Sequence, residues 1–175
     1  MTDQRDEAGL TLVEMMLALA LIAVALSLTV NTFANWAGRE DMRSGAYTIQ
    51  IFLRLAQTEA AARGHACRFL LDTTTRQLSV VDLNDPAVAT DDVVLSSTTL
   101  SGRVLFANPA GDPPVTLELL TGGVYGTTFV SDGGVSAGAG QISIQGSSVF
   151  CRITVLGAGG TRVDRWEGTA WTRGS

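Results

Sequence analysis

Histidine occurs once in this chain and cysteine twice. Lysine is absent, and all 12 basic residues are arginine. His65 has no second histidine to share a metal with. Cys67 and Cys151 lie 84 positions apart, which excludes a CxxC redox or zinc motif. No nucleophile turn of the Gly-x-Ser-x-Gly type is expected. Charged residues make up only 17% of the chain, and the net charge of −5 argues against broad electrostatic binding of nucleic acid. These shortages leave no catalytic residue, no metal site and no cofactor to be expected, and a membrane-anchored enzyme has no residue constellation behind it. Asp91, Asp92 and Asp132 are read as solvated loop acids, with a loop calcium site as the alternative. Gly157-Ala158-Gly159-Gly160 follows a strand pattern without a helix after it, so it is read as a turn and not as an anion cradle.

One long apolar run is present. Leu10–Val30 comprises 21 residues, of which only Glu14 is charged. At about 1.5 Å per residue a helix of that length approaches the ~30 Å hydrocarbon core of a bilayer. A carboxylate in such a segment costs on the order of 2.5–3.5 kcal/mol at the helix centre. Glu14 therefore either reaches the headgroups or has a partner. A cut after Gly9 would place a new amine on Leu10, four residues away on the same helix face.

The hexapeptide Gly9-Leu10-Thr11-Leu12-Val13-Glu14 and the helix it opens resemble the processing motif of type IV pilins and type II secretion pseudopilins. The resemblance implies that a prepilin peptidase cuts between Gly9 and Leu10. It also implies that Leu10 is N-methylated and that Glu14 guides docking into a helical filament. The same resemblance places the N-terminus in the cytoplasm and the C-terminal domain in the periplasm, with one pass through the inner membrane. The arginine count does not decide orientation, because Arg5 precedes the span while Arg39 and Arg43 follow it.

Beyond Val30 the helical pattern continues. Phe33 and Trp36 stand at interfacial depth, and Gly38 and Gly45 are expected to weaken the helix and let it bend. Ile49, Phe52, Leu53, Ala56 and Ala60 form an apolar stripe, and Gly64 is the expected stop. From residue 65 the pattern is β. Cys67, Phe69 and Leu71 alternate with Arg68 and Leu70, and a polar turn Asp72–Arg76 leads to a return strand through Leu78 and Val80. Further runs are read at Val93–Leu95, Arg103–Phe106, Val115–Leu119, Gly126–Val130, Gln141–Ile144 and Val149–Leu156.

The expected fold is α+β and pilin-like: a long N-terminal α-helix, its first half transmembrane, packed on a C-terminal antiparallel β-sheet domain. The expected divisions are a leader at 1–9, the membrane and assembly half of the helix at 10–30, its amphipathic half at 31–64, and a β-rich domain at 65–175. The helix from Leu53 to Gly64, the loop Phe129–Gly134, and the segments Gly140–Ile144 and Cys151–Val155 resemble the H-type pseudopilin and FimT-like minor pilin family. In that family a Gly-Arg-x-Arg ending follows; here Gly160-Thr161-Arg162-Val163-Asp164-Arg165 sets an acid among the arginines.

The implied role is a minor pseudopilin near the tip of a type II secretion pseudopilus, in contact with major and minor pseudopilins and with prepilin peptidase. The alternative is a FimT-like minor type IV pilin for pilus biogenesis or DNA uptake. Support for DNA is confined to Arg152, Arg162, Arg165 and Arg173 with Trp166 and Trp171. Cys67 and Cys151 both fall on apolar strand faces. If those strands are neighbours an oxidising periplasm could join them, closing a loop worth roughly 4–5 kcal/mol; otherwise they are two buried thiols.

Overall fold

The computed structural model describes residues 12–84 and 91–174, except for the side chains of 28–32. It divides into two compact units, Met1–Ala37 and Gly38–Ser175. One helix, α1 (Leu12–Arg63), contributes to both. In its first part every described side chain from Leu12 to Ser27 is exposed, Leu12 at 79% and Leu17 at 62% among them. Phe33 and Trp36 are also exposed, and their rings sit 5.7 Å apart. Among the described residues no helix is long and apolar enough to cross a membrane. The expected span 10–30 begins and ends outside the residues whose side chains are described.

From Gly38 onward α1 carries the stripe that its periodicity predicts. Met42, Ala46, Ile49, Phe52, Leu53, Ala56 and Ala60 are all buried, at intervals of three and four. Burying a side chain the size of Ile49 or Leu53 contributes about 1.5–3 kcal/mol. The helix does not break at its glycines. Gly38 and Gly45 instead let later parts of the chain approach: a Cβ on Gly45 would stand 3.2 Å from Val104 Cγ2, and one on Gly38 3.2 Å from Ser147 Cβ. The partner glycine on the sheet side is Gly146, where a Cβ would run into the Gly38 carbonyl and Met42. Gly64 ends the helix at φ +77°, its amide donating to Ala60 O.

Eleven strands follow among the described residues: β1 (Cys67–Asp72), β2 (Gln77–Asp82), β3 (Val93–Thr99), β4 (Leu105–Phe106), β5 (Glu118–Thr121), β6 (Val124–Phe129), β7 (Val135–Ala137), β8 (Gly140–Gly146), β9 (Val149–Val155), β10 (Thr161–Trp166) and β11 (Trp171–Arg173). They form two sheets. The first has the order β3-β2-β1-β6-β5, with β7 also on β6; the second has the order β11-β10-β9-β8-β4. All pairings are antiparallel.

The β1–β2 hairpin is the one read from the alternation. Asp72 fixes its turn by accepting from the Thr74 and Thr75 amides at 2.7 and 3.1 Å. Those donors, with the Thr75 hydroxyl foremost, hold the Asp72 carboxyl below its usual range. The expected run Val115–Leu119 resolves into a bridge from Val115 to Ile142 and then β5 in the other sheet. Strands β7, β10 and β11 were not expected. The core joins the helix stripe to Phe69, Leu71, Leu78, Val80 and Phe129 of the first sheet and to Ile142, Ile144, Ile153 and Val155 of the second.

Candidate functional site

Three places hold the residues singled out by sequence. The first is the start of α1. Gly9 and Leu10 lie outside the described residues. Glu14 stands in the first turn of α1, where a carboxylate complements the helix dipole, and its side chain is exposed among exposed leucines and methionines. That arrangement offers other helices an apolar surface with one acid in it.

The second place is the end of α1. Asp82, 2% exposed at the end of β2, accepts from Arg63 Nη1 at 3.0 Å, and His65 Nδ1 lies 2.8 Å from its other oxygen. The His65 contact is at ion-pair distance without hydrogen-bond alignment. The Cys67 thiol donates weakly to Asp82 Oδ1 at 3.9 Å. Cysteine, histidine and aspartate thus meet, but without the electronic order of a nucleophile. Burial first, and then the Asp82 charge, pushes the Cys67 thiol up to about 11, so it stays protonated at neutral pH. The cluster ties the helix terminus to the first hairpin.

Cys151 is the other free cysteine. Burial raises it to about 11 as well, with Asp164 adding to the effect. Cys67 lies on β1, between β2 and β6, whereas Cys151 lies on β9, between β8 and β10. The strands are therefore in different sheets and are not neighbours. Of the two readings left open by the sequence, the structure has two free thiols buried in the shared core.

The spacing Gly134-Val135-Ser136-Ala137-Gly138 does match Gly-x-Ser-x-Gly, contrary to the expectation that the pattern was missing. Ser136 lies within β7, which leads into β8 and not into a helix, and its hydroxyl donates to Thr128 O at 3.4 Å. A nucleophile elbow needs the strand-to-helix turn. The nearby Gly159 turn serves packing: a Cβ there would run into Gly133 O, which also accepts from Gln57 Nε2 at 2.8 Å. Asp132 caps its own loop, accepting from the Gly134 amide at 2.7 Å. Among the described residues no three His, Cys, Asp or Glu side chains converge on a metal position.

The third place is the face of the second sheet that is formed by β8 to β11. Register sets Ser143, Arg152, Asp164 and Arg173 in one cross-strand row. Gln145, Phe150 and the Trp166–Trp171 pair lie in or beside the next row toward the hairpin end. Asp164, 4% exposed, receives Arg152 Nη2 and Arg162 Nη2 on the same oxygen, each at 3.1 Å. The Arg152 guanidinium lies over the Trp171 ring at 4.4 Å, and Trp171 meets Trp166 edge-on at 5.3 Å and 63°. Arg152 Nε, Ser143 Oγ and Thr154 Oγ1 are buried without a hydrogen-bond partner among the described residues.

The acid that sequence reading treated as an interruption is thus the centre of the group. Arg165, on the alternate side of β10, does not join it; it stands opposite Cys151. The missed signal was the alternation Arg162, Asp164, Trp166, which is the period of a strand.

Residues 4–30 match the prokaryotic N-terminal methylation motif. The minor type IV pilin FimU of Pseudomonas aeruginosa superposes with a TM-score of 0.50, covering 71% of this chain and 89% of FimU at 14% identity. The chain has a pilin-like fold. Two structures of the minor pseudopilin EpsH from the type II secretion system of Vibrio cholerae are also similar. One has a TM-score of 0.47 at 21% identity and covers 69% of this chain and 92% of EpsH. The other has 0.49 at 19% identity and covers 79% and 98%. No curated protein matches the chain. It has the expected α+β architecture, a long helix on antiparallel sheets.

Proposed function

We propose that this chain is a minor pseudopilin, a structural subunit near the tip of a type II secretion pseudopilus that supports protein export across the outer membrane. The observation that carries the reading is the methylation motif at 4–30, which runs into a helix whose later turns build the core of a pilin-like domain. Prepilin peptidase would release Leu10, and the helix would then leave the inner membrane to pack with sister helices. Apolar side chains supply van der Waals contact in such a bundle, and Glu14 would set axial register by pairing with an N-terminal amine.

Two measurements test this. In a host with prepilin peptidase, intact-mass analysis is expected to show a chain beginning at methylated Leu10; retention of Met1 would refute processing. Glu14→Leu is expected to leave membrane insertion intact and to abolish incorporation into filaments. Normal incorporation of that variant would remove the role given to Glu14.

The fold likeness to FimU favours a second reading, a minor type IV pilin. Deletion of the gene separates the two: loss of secreted proteins with normal surface pili supports the pseudopilin, and loss of pili with normal secretion supports the pilin.

A further inference from the structure

We propose that the β8–β11 face is a docking surface for an acidic, extended segment of a partner protein, which Arg162 and Arg173 meet with their guanidinium groups. The proposal does not depend on which filament the chain enters.

Charge is the first argument. The chain as a whole carries −5, yet the face formed by β8 to β11 holds Arg152, Arg162 and Arg173 against Asp164, a local excess of two positive charges. The excess is unevenly available. Arg152 is bound to Asp164 through Nη2, and the two side chains are only 18% and 6% exposed. Arg162 shares the same Asp164 oxygen but keeps 43% of its side chain exposed, and Arg173 is exposed at the end of β11. A guanidinium has five donors in a rigid fork, and Arg162 turns Nε and Nη2 to Asp164 Oδ2 at 3.2 and 3.1 Å, which leaves its Nη1 side for an incoming carboxylate.

The second argument is the sheet edge. Among the described residues strand β11 pairs with β10 alone, so its other side offers backbone donors and acceptors to an added strand. An extended segment laid along β11 would bring alternate side chains over the face that holds Arg162 and Arg173. Strands hold these guanidinium groups more firmly than a loop would.

The third argument selects a protein acid over a nucleic acid. Base stacking needs open aromatic faces beside a run of cations. Here Arg152 already covers Trp171, and Trp166 is turned edge-on to it. Asp164 also stands where a phosphate would have to come closest to both Arg152 and Arg162. Carboxylates spaced along a peptide need only the outlying arginines.

The test uses the full chain in detergent micelles, with a fluorescein-labelled hexaglutamate peptide as probe. Hexaglutamine and a single-stranded oligothymidylate serve as comparisons. Hexaglutamate is expected to bind with an affinity that falls as salt rises, and hexaglutamine is expected not to bind. Arg162→Ala with Arg173→Ala is expected to weaken hexaglutamate binding about tenfold or more while keeping a single cooperative thermal transition, because Arg152 still answers the buried Asp164. Asp164→Asn, if it folds, is expected to tighten binding by releasing two guanidinium groups. Binding that the double variant does not change would overturn the proposal. So would failure of hexaglutamate to bind, or preference for the oligonucleotide.

Discussion

At the scale of single residues, the two cysteines show how environment outranks composition. Neither thiol is close to a cationic group strong enough to favour the thiolate, and burial dominates both. The sign of the resulting pH dependence is fixed. A thiol raised to about 11 in the folded chain keeps its proton where the unfolded chain, near about 8.5, has lost it. Stability from these groups is therefore intact below about pH 8.5 and falls as pH rises towards 11. We expect the urea midpoint to drop across that alkaline window, and to drop less in the Cys67→Ala, Cys151→Ala double variant. Mass analysis of native protein after alkylation at pH 8 should show both thiols unmodified, with and without reductant. Asp164 makes the same point differently: its identity was plain in the chain, but its role came from two arginines on either side of it in space.

At the scale of elements, the contact between α1 and the second sheet is set by glycines on both sides. Gly146 is the tightest position, because its neighbours are the Gly38 backbone and Met42 Cβ, neither of which can swing away. Gly45 faces the movable side chain of Val104. Gly146→Ala is therefore expected to destabilise by about 1–3 kcal/mol through overpacking, and Gly45→Ala by clearly less because helix propensity improves. Leu53→Ala, at a fully buried position in the middle of the stripe, should cost about 2–5 kcal/mol. Urea denaturation of the three variants checks the order. A Gly146→Ala variant as stable as the parent would show that the close approach does not matter.

For the molecule as a whole, the buried apolar residues run from Met42 to Val155, all within the Gly38–Ser175 unit. A chain beginning at Gly38 thus retains the described core. It is expected to fold with one cooperative urea transition and to stay monomeric, since the exposed apolar turns from Leu12 to Leu26 are removed with the first unit. A non-cooperative transition would mean that the first unit supplies packing that the core needs.

The chain alone determined the parts that depend on near neighbours. The helix stripe from Ile49 to Ala60, the Gly64 stop, the Asp72–Arg76 turn and the buried faces of β1 and β9 are local periodicities, and each stands where the pattern puts it. The motif around Gly9 and Glu14 is also contiguous, so it was legible without a fold. Tertiary structure decided what joins distant segments. It divided the strands between two sheets, set Cys67 and Cys151 on different ones, turned Gly38 and Gly45 from weak points into contact surfaces, and gathered Ser143, Arg152, Asp164 and Arg173 into one row. The physical reason is that strand pairing is chosen by loop closure and by burial over the whole chain, and no window of a few residues contains those terms.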